Sequence, residues 1–139
     1  MHSDKDCIYE DARNCAVGGN ESFFKIYRQC KYLRENGYPE HNGLYENNLI
    51  FRKHNDQLVI GLCEKWWAEY HKFCNRDQLT LCYVFWKNNF QPSLLLPKEE
   101  NTWNKTHFNR VLHDYSFMYH VKRRVRHILG TFLFKIYPF

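Results

Sequence analysis

The chain has 139 residues, 44% of them hydrophobic and 18% aromatic, which allows one domain with a real core and is short for an enzyme that holds two substrates. No apolar run reaches the roughly 18 residues of a membrane span. A charged opening (His2, Asp4, Lys5, Asp6) argues against a secretory signal, so the expected location is cytoplasmic, with contact at the inner membrane face as an extension of that reading. The net charge of +5 lies wholly after Asp114, where Lys122, Arg123, Arg124, Arg126 and Lys135 meet no acid; the preceding residues balance fifteen basic against fifteen acidic.

In chain order, residues 6–17 read as a helix with Ile8, Ala12, Cys15 and Ala16 on one side and Gly18-Gly19 as its stop. Asn20 is placed to cap a second helix bearing Phe23, Tyr27, Cys30 and Leu33, which Gly37 and Pro39 end. After the Asn42-Gly43 turn, Asn48 to Arg52 reads as a short buried strand. Asn55 then caps a long helix with Leu58, Val59, Leu62, Cys63, Trp66, Tyr70 and Phe73 in a stripe. Asp77 opens a further helix through Leu79, Cys82, Tyr83 and Trp86, and Asn88-Asn89 breaks it. A second short strand over 91–96 closes at Pro97, and residues 98–113 read as a long polar loop. From Asp114 to about Leu133 a last helix aligns Phe117, Met118, Val121, Val125, Ile128 and Phe132. The expected class is α/β, helix-rich with a few short strands, in three stretches: 1–97, the loop 98–113, and the amphipathic basic helix and tail 114–139. The six cysteines form no CxxC pair, so reduced, mostly buried thiols are expected and a zinc site is not.

An ordered set of motifs spans residues 2–96: His2, Cys7-Ile8-Tyr9-Glu10, Gly37-Tyr38-Pro39, Asn42-Gly43-Leu44 with Glu46, Arg52-x-His54-Asn55, Trp66-Trp67, and Arg76-Asp77-Gln78-Leu79. This set resembles a glycosyltransferase-like domain found in bacterial polysaccharide-gene products and in plant cell-wall proteins linked to mucilage and turgor regulation. The resemblance implies a partial GT-A-like fold, the half that follows the nucleotide-binding half. It also implies transfer of a sugar from a nucleotide-sugar to a glycan acceptor. A partner would then supply the nucleotide-binding half, and an active enzyme of this kind would use Mn or Mg on the diphosphate. No cofactor follows from the residues themselves, and no metal ligands are assigned.

The chemistry to be explained is a positive charge that develops at the sugar carbon while a diphosphate leaves. Asp77 could stabilise that charge and Gln78 could fix sugar hydroxyls; the plain alternative is an N-cap with a solvated neighbour. His54 could act as base toward the acceptor and Arg52 could pair the diphosphate, sharing one face of the strand; the alternative is a structural strand end. Arg76 is a further substrate contact or a local ion-pair partner of Asp77. Asn42-Gly43 brings backbone near a ligand or makes an ordinary turn, and Glu46 faces the cleft or the solvent. Trp66 belongs to the apolar stripe, whereas Trp67 either stacks on a sugar ring or packs. The C-terminal helix, with Leu133, Phe134, Tyr137 and Phe139 beyond its stripe, either lies on anionic lipid or docks on the domain; nucleic acid is disfavoured for want of a broad basic face. Two functions remain open: a transferase of glycan biosynthesis, or a non-catalytic glycan- or membrane-binding remnant of one.

Overall fold

Apolar residues at helical spacing build most of this chain. The computed structural model describes residues 5–97, 109, 111 and 114–139, and among these lie five helices and no strand. They are α1 (Ile8–Val17), α2 (Phe23–Glu35), α3 (Gln57–Tyr70), α4 (Asp77–Lys87) and α5 (Phe117–Ile136). His2 and nearly all of the 98–113 loop fall outside the described residues.

The α/β, GT-A-like expectation is thereby overturned. Strands need ladder partners, and neither apolar run acquires one. The run 48–52 is irregular, and Phe51 is 76% exposed rather than buried. Residues 91–96 are also irregular, and with the first run they line an apolar hollow. β-favouring residues were present; a sheet for them to join was not.

The core is made by α1, α2 and α4. Ile8, Ala12, Cys15 and Ala16 meet Ile26, Cys30 and Leu33 of α2 and Leu79, Cys82 and Tyr83 of α4, with Tyr38 and Leu44 contributed by the connection. Each fully buried Ile or Leu side chain here contributes about 1.5–3 kcal/mol. Polarity inside is only partly paired: the Tyr9 hydroxyl donates to the Tyr38 carbonyl at 2.8 Å, whereas Gln29 Nε2 is buried without a partner. Helix limits follow local chemistry. Gly37 takes φ +77° just past the Asn36 cap, a left-handed turn that other side chains resist. The cap of α3 is Asp56 rather than Asn55; its carboxylate accepts from the Leu58 and Val59 amides at 2.9 and 3.4 Å. The residue at the cap of α2 is Ser22, not Asn20, and its side chain makes no capping bond.

On the second side, α3 packs on α4, and a polar knot ties both to α2. Glu69 of α3 accepts from Lys72 at 2.8 Å and from the Tyr32 hydroxyl at 3.3 Å, while Lys87 reaches the Tyr83 hydroxyl at 2.9 Å. The predicted stripe of α3 is only partly inward: Leu62 is buried, whereas Leu58 is exposed.

The orientation of α5 is the larger surprise. It lies against α1 and α2 through Gly130, its one buried residue. A β-carbon there would collide with the Ala16 carbonyl, and one at Gly19 would collide with the Arg123 carbonyl, so two glycines permit backbone-to-backbone approach. Arg123 Nε donates to the Gly18 carbonyl at 3.3 Å, and His127 Nδ1 meets the Val17 carbonyl at 2.5 Å. Leu133, Phe134 and Phe139 turn inward onto the core, and Phe139 sits 5.8 Å from the Phe23 ring.

Candidate functional site

Two concavities flank the segment that precedes α3. The larger, of about 700 Å³, lies between α3 and the start of α4 and is lined by Arg52, Glu64, Trp66, Trp67, Tyr70 and Asp77 among others. Its aromatic wall comes from α3, where Cys63, Trp66, Trp67 and Tyr70 recur at i, i+3, i+4 and i+7. The Trp66 indole N–H donates to the Thr80 hydroxyl at 3.1 Å. That hydroxyl lies 3.2 and 3.1 Å from the carbonyls of Arg76 and Asp77, so the ring is pinned against the first turn of α4. Trp67 differs: its ring is 66% exposed, stacks on Tyr70 at 6.0 Å and receives the His71 edge at 4.3 Å.

Polar groups complete the wall. Asp77 is the first residue of α4, where the helix dipole favours a carboxylate. Arg52 lies on the surface and donates from Nη1 to the Cys63 thiol at 3.2 Å, which holds the guanidinium over α3. The concavity therefore offers an arginine, two carboxylates and an aromatic wall, a set suited to hydroxyls, to phosphate and to the apolar face of a sugar ring.

The other residues singled out in the sequence lie elsewhere. His54 sits in an exposed turn before α3 and is not among the lining residues; without a strand, it and Arg52 no longer share a face. Arg76 points toward α1: burial opposes its charge, and Cys15, Asp77 and Asp11 outweigh that and raise its pKa. Its Nε is buried without a partner. Gln78 Nε2 donates to the Tyr45 carbonyl at 3.3 Å, a tie between α4 and the connection. Asn42 is exposed with its amide 3.5 Å from the Tyr38 hydroxyl, and Gly43 takes φ +86°, as a tight turn requires. Glu46 lines the smaller hollow, of about 370 Å³, with Tyr45, Asn47, Leu81 and Phe85; Glu46 Oε1 and Asn47 Nδ2 are buried there without partners.

Cys63, Glu64, Trp66 and Tyr70 are the lining residues that sequence reasoning did not assign to the site. The signal was the α3 spacing itself, which marks a face centred on Trp66-Trp67 rather than a fully buried stripe.

Metal chemistry finds no fit among the described residues: no group of three His, Cys, Asp or Glu side chains converges. The chain's one Asp-x-Asp triplet, Asp4-Lys5-Asp6, is engaged in its described part, with Lys5 on Asp11 at 2.8 Å and Asp6 on His41 at 2.8 Å. All six cysteines are free thiols, and only Cys63 is not fully buried. Burial pushes Cys74 and Cys82 up to about 11, and burial with the Asp11 charge does the same for Cys15, which keeps these thiols protonated and unreactive at neutral pH.

Comparison with protein-family models, curated proteins and solved structures returns no match for this chain.

Proposed function

We propose that the chain serves glycan biosynthesis as the sugar-holding part of a glycosyltransferase, with the concavity between α3 and α4 as its sugar site. The observation that carries this reading is that Arg52, Trp67 and Asp77, separated by up to 25 positions in sequence, line one hollow. Trp67 stacks on the ring of the bound sugar, whose axial hydrogens make an apolar face. Asp77 and Glu64 accept from its hydroxyls, and Asp77 stands where a carboxylate can offset positive charge at the sugar carbon. Arg52 pairs with a phosphate oxygen of the donor. His54 and the residues outside the hollow have no part in this reading. No step runs through a metal, because the described residues do not make a site for one.

Calorimetric titration of the full chain with nucleotide-sugars and with neutral oligosaccharides tests this. The expected result is saturable heat that Trp67→Ala and Asp77→Asn each reduce at least tenfold, on the order of 1.4 kcal/mol. Heat that is absent with every sugar ligand, or unchanged in both variants, contradicts the assignment. Heat with oligosaccharides but none with nucleotide-sugars selects the second reading, a non-catalytic glycan-binding module, which the exposed aromatic wall also supports.

A further inference from the structure

Helix α5 is mounted in the reverse of the usual way. Amphipathic helices dock by their apolar face. Here the docked side carries Gly130, Arg123 and His127, which hold the backbone and carbonyls of residues 16–19. The apolar stripe points away from the body: Val121, Val125, Ile128 and Phe132 are between 38% and 61% exposed, and Phe117 is 79% exposed. With about 100° between successive residues, these side chains fall on one arc opposite Gly130. Lys122 lies beyond that arc on one side, and Arg124 and Lys135 stand at its other edge; Arg126 falls about 40° from Gly130, toward the docked side. All four are exposed, and among the described residues none is paired with a carboxylate. The stripe runs the length of a 20-residue helix, roughly 30 Å.

We propose that this face lies in the headgroup region of an anionic lipid leaflet. The stripe would be sunk among acyl chains, and the flanking Lys122, Arg124 and Lys135 would meet lipid phosphates. Charge decides between this occupant and a second copy of the chain. Pairing stripe to stripe would bring three unneutralised cations of each copy together, and no acidic residue follows Asp114 to relieve them. An anionic bilayer complements both features at once. No helix among the described residues is long and apolar enough to cross a membrane, so the contact is in the plane of the surface. This inference goes beyond the sugar site and does not depend on it; together they would put the α3–α4 hollow on a body held at a membrane.

The test is co-flotation of the full chain with vesicles of phosphatidylcholine alone and of phosphatidylcholine mixed with phosphatidylglycerol. Binding is expected only with the anionic vesicles and should weaken with salt. Val125→Asp with Ile128→Asp should abolish it. Lys122→Ala with Arg124→Ala should weaken it by about fivefold per charge removed. Both double variants should unfold at the temperature of the parent, because all four side chains are exposed. Absence of binding to anionic vesicles, equal binding to neutral ones, or binding unchanged in both variants overturns the proposal. So does a dimer in solution that Val125→Asp with Ile128→Asp converts to monomer without any vesicle binding.

Discussion

Trp66 and Trp67 are adjacent in sequence and divide the work of α3 between them. Trp66 is held by the Thr80 hydroxyl and closes the back of the hollow, whereas Trp67 is mostly exposed at its edge. The two substitutions should therefore separate. Trp66→Phe removes a hydrogen bond and should lower stability by about 1 kcal/mol in denaturant unfolding. Trp67→Ala should leave stability within about 0.5 kcal/mol of the parent while ligand affinity falls. Equal loss of stability in both would show that Trp67 is a packing residue. Adjacency showed that the two rings diverge by about 100° on the helix, but packing was the favoured reading of Trp67 as well, and its exposure was not legible. The fates of Arg76 and Gln78 were not legible. Both belong to the motif around Asp77, yet Arg76 turns toward Cys15 and Gln78 reaches the Tyr45 carbonyl. Those partners lie tens of residues away, and no local pattern points to them.

Single elements show where periodicity informs and where it misleads. Spacing located the five helices of the described residues, because each carries an apolar stripe, and Gly37 and Asn88 helped to mark where α2 and α4 stop. It could not say which way a stripe faces. In α5 the stripe is regular, yet Gly130 and Gly19 dock the opposite side, a contact that depends on the absence of two β-carbons. Gly130→Leu should accordingly release α5. Its amides should lose hydrogen-exchange protection while those of α1, α2 and α4 keep theirs. Unchanged protection of α5 would contradict the docking by backbone approach. At the start of α3, Asp56 satisfies two otherwise free amides, so Asp56→Ala should cost about 1 kcal/mol in thermal or denaturant unfolding. A cost near zero, with Asn55→Ala carrying the loss instead, would return the cap to the residue that sequence favoured. The two short apolar runs were misread as strands because composition reports β-preference and not the presence of a partner.

At the scale of the whole molecule, the core is helical, thiol-rich and tyrosine-rich, and this sets its response to pH. Burial raises Cys15, Cys74 and Cys82 from 9.0 to about 11, and Tyr9 from 10.0 to about 12. In the pH range between these values and the ordinary ones, the folded chain binds more protons than the unfolded chain, so stability falls as pH rises. That contribution is fully present below pH 9 and is lost progressively toward pH 11 to 12. Urea unfolding in reductant should show a lower midpoint at about pH 10.5 than at about pH 8; an unchanged midpoint would mean that these groups are not buried as described. Burial of Cys15, Cys30 and Cys82 was readable from their positions within apolar stripes, although Cys63, also in a stripe, is only partly buried and Cys7 and Cys74 are buried outside any stripe; the neutral body with its basic tail was readable too. The helical class was not, because it turned on the absence of a sheet for two short runs to join. The meeting of Arg52, Trp67 and Asp77 survives that correction, since it needs only the packing of α3 on α4 and the hydrogen bond from Arg52 to Cys63. Its most direct test is a nitrogen-15 NMR titration of the full chain with a nucleotide-sugar, following the tryptophan indole signals. Saturable shifts of the Trp66 and Trp67 indoles and of the Asp77 amide, with the Glu46 and Asn47 amides undisturbed, are the predicted result; shifts confined to Glu46 and Asn47, or none at all, would contradict it.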